Sequence, residues 1–163
     1  MVAGVSTVRI IVWQDERAAI VVHSLTCLPN GFGFTVTAHA RHGLPVHQLP
    51  PHDDLGLPET VRVGVVFPDG RAVFSDAPAD PDIPGMSVHP TGEPILSSQS
   101  VLGNSFRTDR GYFVAPLPPP GPVVLVFTWP LYDLDQVQAV IDAGELSAVA
   151  ATSITLWPDE PTH

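Results

Sequence analysis

Apolar residues recur at every second position through most of this chain, and that spacing predicts β-strands. The clearest case places Phe32, Phe34, Val36, Ala38 and Ala40 on one face, with Gly33, Thr35, Thr37, His39 and Arg41 on the other. A strand with one apolar face covers a core on one side only. Val61, Val63, Val65 and Phe67 repeat the pattern. Pro68-Asp69-Gly70 then supplies a turn, because proline presets φ and glycine accepts positive φ, and Arg71 to Phe74 returns as the partner strand. Val8 to Trp13 and Ala18 to Leu25 flank the polar Gln14-Asp15-Glu16 and predict a hairpin. Ile95 to Val101 predicts a more polar strand.

Two runs rich in β-branched and aromatic residues, Arg110 to Ala115 and Val123 to Trp129, surround the proline knot Pro116 to Pro122. Proline donates no N–H and fixes φ, so the knot belongs neither to a helix nor to a central strand. It predicts a stiff connection between two strands. Its Pro116-Leu117-Pro118-Pro119 also satisfies P-x-x-P, the shape that SH3 and WW grooves accept. The plainer reading is a rigid crossover.

Leu134 to Ala151 reads two ways. Alanine and leucine favour one helix, but Val137, Ala139 and Ile141 alternate, and Gly144 interrupts. We expect a strand over about Gln136 to Ile141 and a short helix over about Ala143 to Thr152. Asp142 is its N-cap, with Glu145 completing a capping box. Leu156-Trp157 is expected to pack the tail onto the body. Many short strands, turn signals between them and one short helix predict an all-β fold. Its architecture is a two-layer antiparallel β-sandwich, one domain over 1–163, with long proline-rich loops.

Composition narrows the function classes. The chain has 163 residues, 44% of them hydrophobic, which is enough for a core without metal or disulfide. Its net charge is −10, and all seven basic residues are arginines. An acidic body repels phosphate backbones and anionic lipid, so neither nucleic acid nor a membrane is the expected partner. The single cysteine, Cys27, excludes an internal disulfide and fits a cytoplasmic setting. It follows an apolar strand, so a buried, inert thiol is expected. There is no secretory leader pattern and no apolar run near the roughly 20 residues that span a bilayer.

Candidate chemistry gathers in two long proline-rich loops, His42 to Glu59 and Ser75 to Pro94. The first, with the strand end before it, carries His39, His42, His47, His52, Asp53 and Asp54, four of the seven histidines with two carboxylates. Imidazoles with a carboxylate ligate zinc or another divalent transition metal. The spacing matches no recognised site, and a solvated loop is the plainer reading; a pH-sensing role follows from the same histidines. Asp76, Asp80 and Asp82 suggest calcium without the EF-hand spacing. Ser87 and His89 lie close in sequence without a nucleophile elbow. Gly103-Asn104-Ser105 lacks a P-loop lysine. Arg107 and Arg110 flank Asp109, which suggests an anion clamp or, more simply, local ion pairs.

These readings favour a non-catalytic protein-binding or assembly module without a cofactor. Pro50, Pro51, Pro84 and Met86 are contact candidates on the loops, and Gln136 to Ile141 is an edge strand able to pair between copies. The alternative is a metal-dependent enzyme using the His39–Asp54 cluster. A small-ligand carrier with its site between the sheets is a third reading.

Overall fold

The computed structural model describes residues 1–43, 61–75 and 93–156. The loop candidates His47, His52, Asp53, Asp54, Asp76, Asp80, Asp82, Ser87 and His89 lie outside them. So do the contact candidates Pro50, Pro51, Pro84 and Met86.

Among the described residues, ten strands and one α-helix form the expected sandwich. The strands are β1 (Gly4–Ser6), β2 (Ile10–Gln14), β3 (Ala18–Leu28), β4 (Gly31–Ala40), β5 (Arg62–Val66), β6 (Ala72–Phe74), β7 (Ile95–Gly103), β8 (Arg107–Ala115), β9 (Pro122–Trp129) and β10 (Leu134–Asp142), followed by α1 (Ala143–Ala150). One antiparallel sheet has six strands in the order β1-β3-β4-β8-β7, with β2 also paired to β3. The other has four, in the order β10-β9-β5-β6. Among the described residues no helix is long and apolar enough to cross a membrane.

The core is the inward half of each alternation. Ile20, Val22, Phe34, Val36 and Val114 from the larger sheet meet Val63, Val65, Leu125 and Phe127 from the smaller one, all nearly inaccessible to water. Burying one such side chain stabilises by about 1.5–3 kcal/mol relative to leaving it exposed. Aromatic rings close one end of the sandwich. Trp129, fully buried, meets Trp13 edge-on at 6.4 Å and Tyr132 at 4.6 Å. The Arg17 guanidinium caps this group, 5.4 Å from the Tyr132 ring centre.

Strand β3 changes its inward parity midway. Ala18, Ile20 and Val22 face in, then Leu25 and Cys27 do. The switch is a bulge between His23 and Thr26 in the pairing with β4, and it places Ser24 at φ 55°. One extra residue resets which side chains point inward. The partner strand changes at the same place: β2 pairs with β3 up to Val22, and β1 pairs with it from Leu25.

The proline knot carries the chain from β8 in the large sheet to β9 in the small one, through a cis Ala115–Pro116 bond. Leu117 packs against the core and Pro118 is buried. The knot is therefore the crossover, and half of its P-x-x-P surface is turned inward.

The C-terminal third is strand then helix. Asp142 accepts a hydrogen bond from the Gly144 amide at 2.6 Å. Only this half of the expected capping box forms among the described residues. Leu146 and Ala150 bury against β3 and β1. The tail is tied down by the bridge between Val2 and Ile154; of the pair expected to pack it, Leu156 is 52% exposed and Trp157 lies outside the described residues.

Gly4 is where β1 meets α1, and a Cβ there would collide with the Val149 carbonyl oxygen. Backbone cannot yield as a side chain can. Gly4→Ala is therefore expected to undock the helix and cost about 1–3 kcal/mol, read as a lower urea midpoint; an unchanged midpoint contradicts this docking.

Candidate functional site

The outward halves of the strands give the two sheets different surfaces. On the large sheet, register places Val21 opposite Thr37 and Thr37 opposite Asp109, with His39 opposite Arg107 one step along. A hydrogen-bond chain follows. The Thr37 hydroxyl donates to Asp109 Oδ1 at 2.6 Å. Its one hydrogen is then committed, so its oxygen accepts from His23 Nε2 at 2.7 Å. His23 Nδ1 shares a further hydrogen bond with the Ser24 hydroxyl, also at 2.7 Å. From the other side, Arg107 Nε donates to Asp109 Oδ1 at 3.1 Å.

Partial burial pushes the Asp109 carboxyl up. The hydrogen bonds from Thr37 and Arg107, with the Arg107 charge, outweigh that and hold it below the usual carboxylate range. Thr37 is 1% exposed and fully partnered. The chain of bonds thus links five side chains, Ser24, His23, Thr37, Asp109 and Arg107, and leaves the buried Thr37 hydroxyl satisfied. The carboxylate reaches the imidazole only through Thr37, so this is not a serine–histidine–aspartate triad.

Around this row the sheet is concave. One hollow of about 280 Å³ is lined by Arg9, Ile11, Val21, His23, Thr37, His39 and Arg107. A larger one of about 590 Å³ adjoins it through Ile11, Val21 and His39, and extends over Ala18, Ala19 and Ala40 to Arg41 and Phe106.

The small sheet is different. Its outward apolar residues are Val66 on β5, Ala72 and Phe74 on β6, Val124 and Val126 on β9, and Val140 on β10, with Arg62, Gln138 and Asp142 among the polar ones. Val124 is paired with both Val66 and Val140, and Val66 with Ala72. Val140 is 60% and Phe74 47% exposed. The Phe74 ring lies over Gly64, where a Cβ would meet it at 2.5 Å. Strand β9 is thus apolar on both faces, a pattern expected of a strand covered on both.

The sequence candidates fare unevenly. His39 and His42 are both exposed, and among the described residues no three histidine, cysteine, aspartate or glutamate side chains gather as a metal site. Arg107 and Arg110 form no clamp. Three residues apart on a strand, they face opposite ways: Arg107 outward, and Arg110 inward beside Tyr112, 5% exposed. One Arg110 nitrogen, Nη2, has no hydrogen-bond partner among the described residues. Cys27 is buried as expected, and burial pushes its thiol up to about 11. Sequence reasoning missed Arg9, His23 and Thr37. Their signal was parity: His23 and Thr37 occupy the outward phase of apolar strands.

No protein family matches this chain, and no curated protein and no solved structure does.

Two outcomes follow. Asp109→Asn should lower stability by about 1–2 kcal/mol, the usual scale for charged hydrogen bonds. Because the folded carboxyl titrates below its unfolded value of about 3.9, the wild-type advantage is complete above that pH. It fades as pH falls through the lower folded value; urea midpoints of both proteins across acid pH measure it, and a pH-independent difference contradicts it. The Cys27 thiol should react with a disulfide reagent near pH 8 only on unfolding; rapid reaction of the native protein contradicts its burial.

Proposed function

We propose that this chain is a non-catalytic protein-binding or assembly module, and that its docking surface is the outer face of the four-stranded sheet. The supporting observation is the double-sided apolar character of β9 and its neighbours. Val124 and Val126 lie at the centre of that face, with Val66, Ala72, Phe74 and Val140 around them. No described residue lies across it. Exposed apolar patches of this kind mark association sites.

A protein surface is the occupant that fits best. The chain carries a net −10, yet the centre of this face, at Val66, Val124 and Val126, is uncharged, and Arg62 on β5 and the exposed Asp142 on β10 stand at strand ends with opposite signs. A second copy can therefore approach face to face without a concentration of like charge across the contact. Two such sheets pack about 10 Å apart. A face without a cluster of cations also argues against nucleic acid. A reducing, cytoplasmic setting fits the single buried cysteine.

Val126→Asp and Val140→Asp place a charge on the face at half-buried and exposed positions, where the fold tolerates it. Light scattering of the wild type across concentration should show a dimer or larger species that either variant dissolves. If the partner is a different protein, a wild-type bait should retain from native lysate a species that the Val126→Asp bait loses. A wild type that stays monomeric and captures the same set of proteins as the variant would overturn the reading.

A further inference from the structure

We infer that the groove on the outer face of the six-stranded sheet is a binding site for a small amphipathic monocarboxylate, independent of the docking face on the other sheet. Only seven cationic side chains oppose seventeen carboxylates in this chain. Two of the seven, Arg9 and Arg107, nevertheless face one hollow, together with the imidazoles of His23 and His39. Arg107 is paired with Asp109. Arg9 has no hydrogen bond or ion pair among the described residues. The pair Arg9 and Arg107 less Asp109 leaves a single positive charge to be met, which suits one carboxylate.

Preorganisation is the second strand of the argument. Arg107 and His23 are already held by the Asp109–Thr37–Ser24 chain of hydrogen bonds. A ligand therefore need not immobilise them, and the cost of ordering falls mainly on Arg9.

The shape then selects the rest of the ligand. The hollow opens through Ile11, Val21 and His39 into the larger one, whose lining includes Ala19 and Phe106. Its volume of about 590 Å³ lies within the range of about 300–1,000 Å³ usual for small-ligand sites. Ile11 is 62% exposed and Phe106 57%, so an aliphatic or aromatic body would cover surface that now faces water. At the far end stand Asp15, already paired with Arg17, and Glu16 beside Arg41. That end carries no net positive charge to reward a second anionic group, so a dicarboxylate would give up the hydration of its second carboxylate without return.

Titration of the full chain with hexanoate, decanoate and phenylacetate tests this, with decanedioate and acetate as comparisons. Calorimetry gives affinity, and the ring signals of His23 and His39 in NMR give location. Saturable binding of at least one of the three is expected, with both histidines perturbed and with decanedioate weaker than decanoate. Arg9→Gln removes an exposed side chain that makes no described bond, so the unliganded protein should melt as the wild type does. Affinity should nonetheless fall about tenfold or more, the scale of one charged hydrogen bond. Ile11→Asp should abolish binding of decanoate. No saturable binding of any of the three, equal affinity in Arg9→Gln, or binding that Val126→Asp removes instead would each overturn the assignment.

Discussion

The register between β3, β4 and β8 is the constraint from which everything else in this molecule follows. With Val22 opposite Val36 and Val36 opposite Arg110, the even-numbered residues of β4 and β8 face inward. A slip by one residue would turn Phe34 and Tyr112 to water and drive Thr37 and Asp109 into the core. No partial slip preserves both sets. The hydrophobic core and the polar row on the outer face are therefore one choice, read from opposite sides of the same sheet.

The two outer faces then diverge because the strands beneath them differ in composition. Those of β3, β4 and β8 carry hydroxyls, imidazoles, a carboxylate and an arginine at the outward positions, and these satisfy one another laterally. Val66, Val124, Val126 and Val140 hold the middle of the other face, on β5, β9 and β10, and valine cannot be satisfied by its neighbours in the same sheet, only by something laid across it. The polar face satisfies most of its own groups and offers a groove. The apolar face does not, and invites association.

Much of this was legible in the sequence where a pattern stayed in phase. β4 and β5 alternate in the sequence, β9 stands out as a continuous apolar run, and the turn at Pro68-Asp69-Gly70 and the strand-to-helix change at Asp142 carried their own local chemistry. Phase changes were harder. The parity switch from Val22 to Leu25 is visible as letters, but the positive φ of Ser24 that produces it is a tertiary compromise between two edge strands. Three-residue β1 is too short to carry a pattern. Chemistry read by closeness along the chain was the weakest guide. It joined Arg107 to Arg110, which the strand separates, although its simpler reading, a local ion pair with Asp109, holds for Arg107; and it passed over His23 and Thr37, which connect to each other and to Asp109 across 14 and 72 residues of sequence. The histidine-rich loop belongs to the same kind of reasoning, and of its members the described residues include only His39 and His42.

Strand β9 carries the central claim, because one of its faces builds the core and the other the association surface. Single cysteines introduced at Val124, Leu125, Val126 and Phe127, in a Cys27→Ser background, measure both at once through their rates of thiol labelling. In dilute protein, positions 124 and 126 should label fast and 125 and 127 slowly. At concentrations where the protein associates, 124 and 126 should become protected. Equal rates at all four positions would contradict the sandwich register, and unprotected 124 and 126 in the associated state would contradict the docking face.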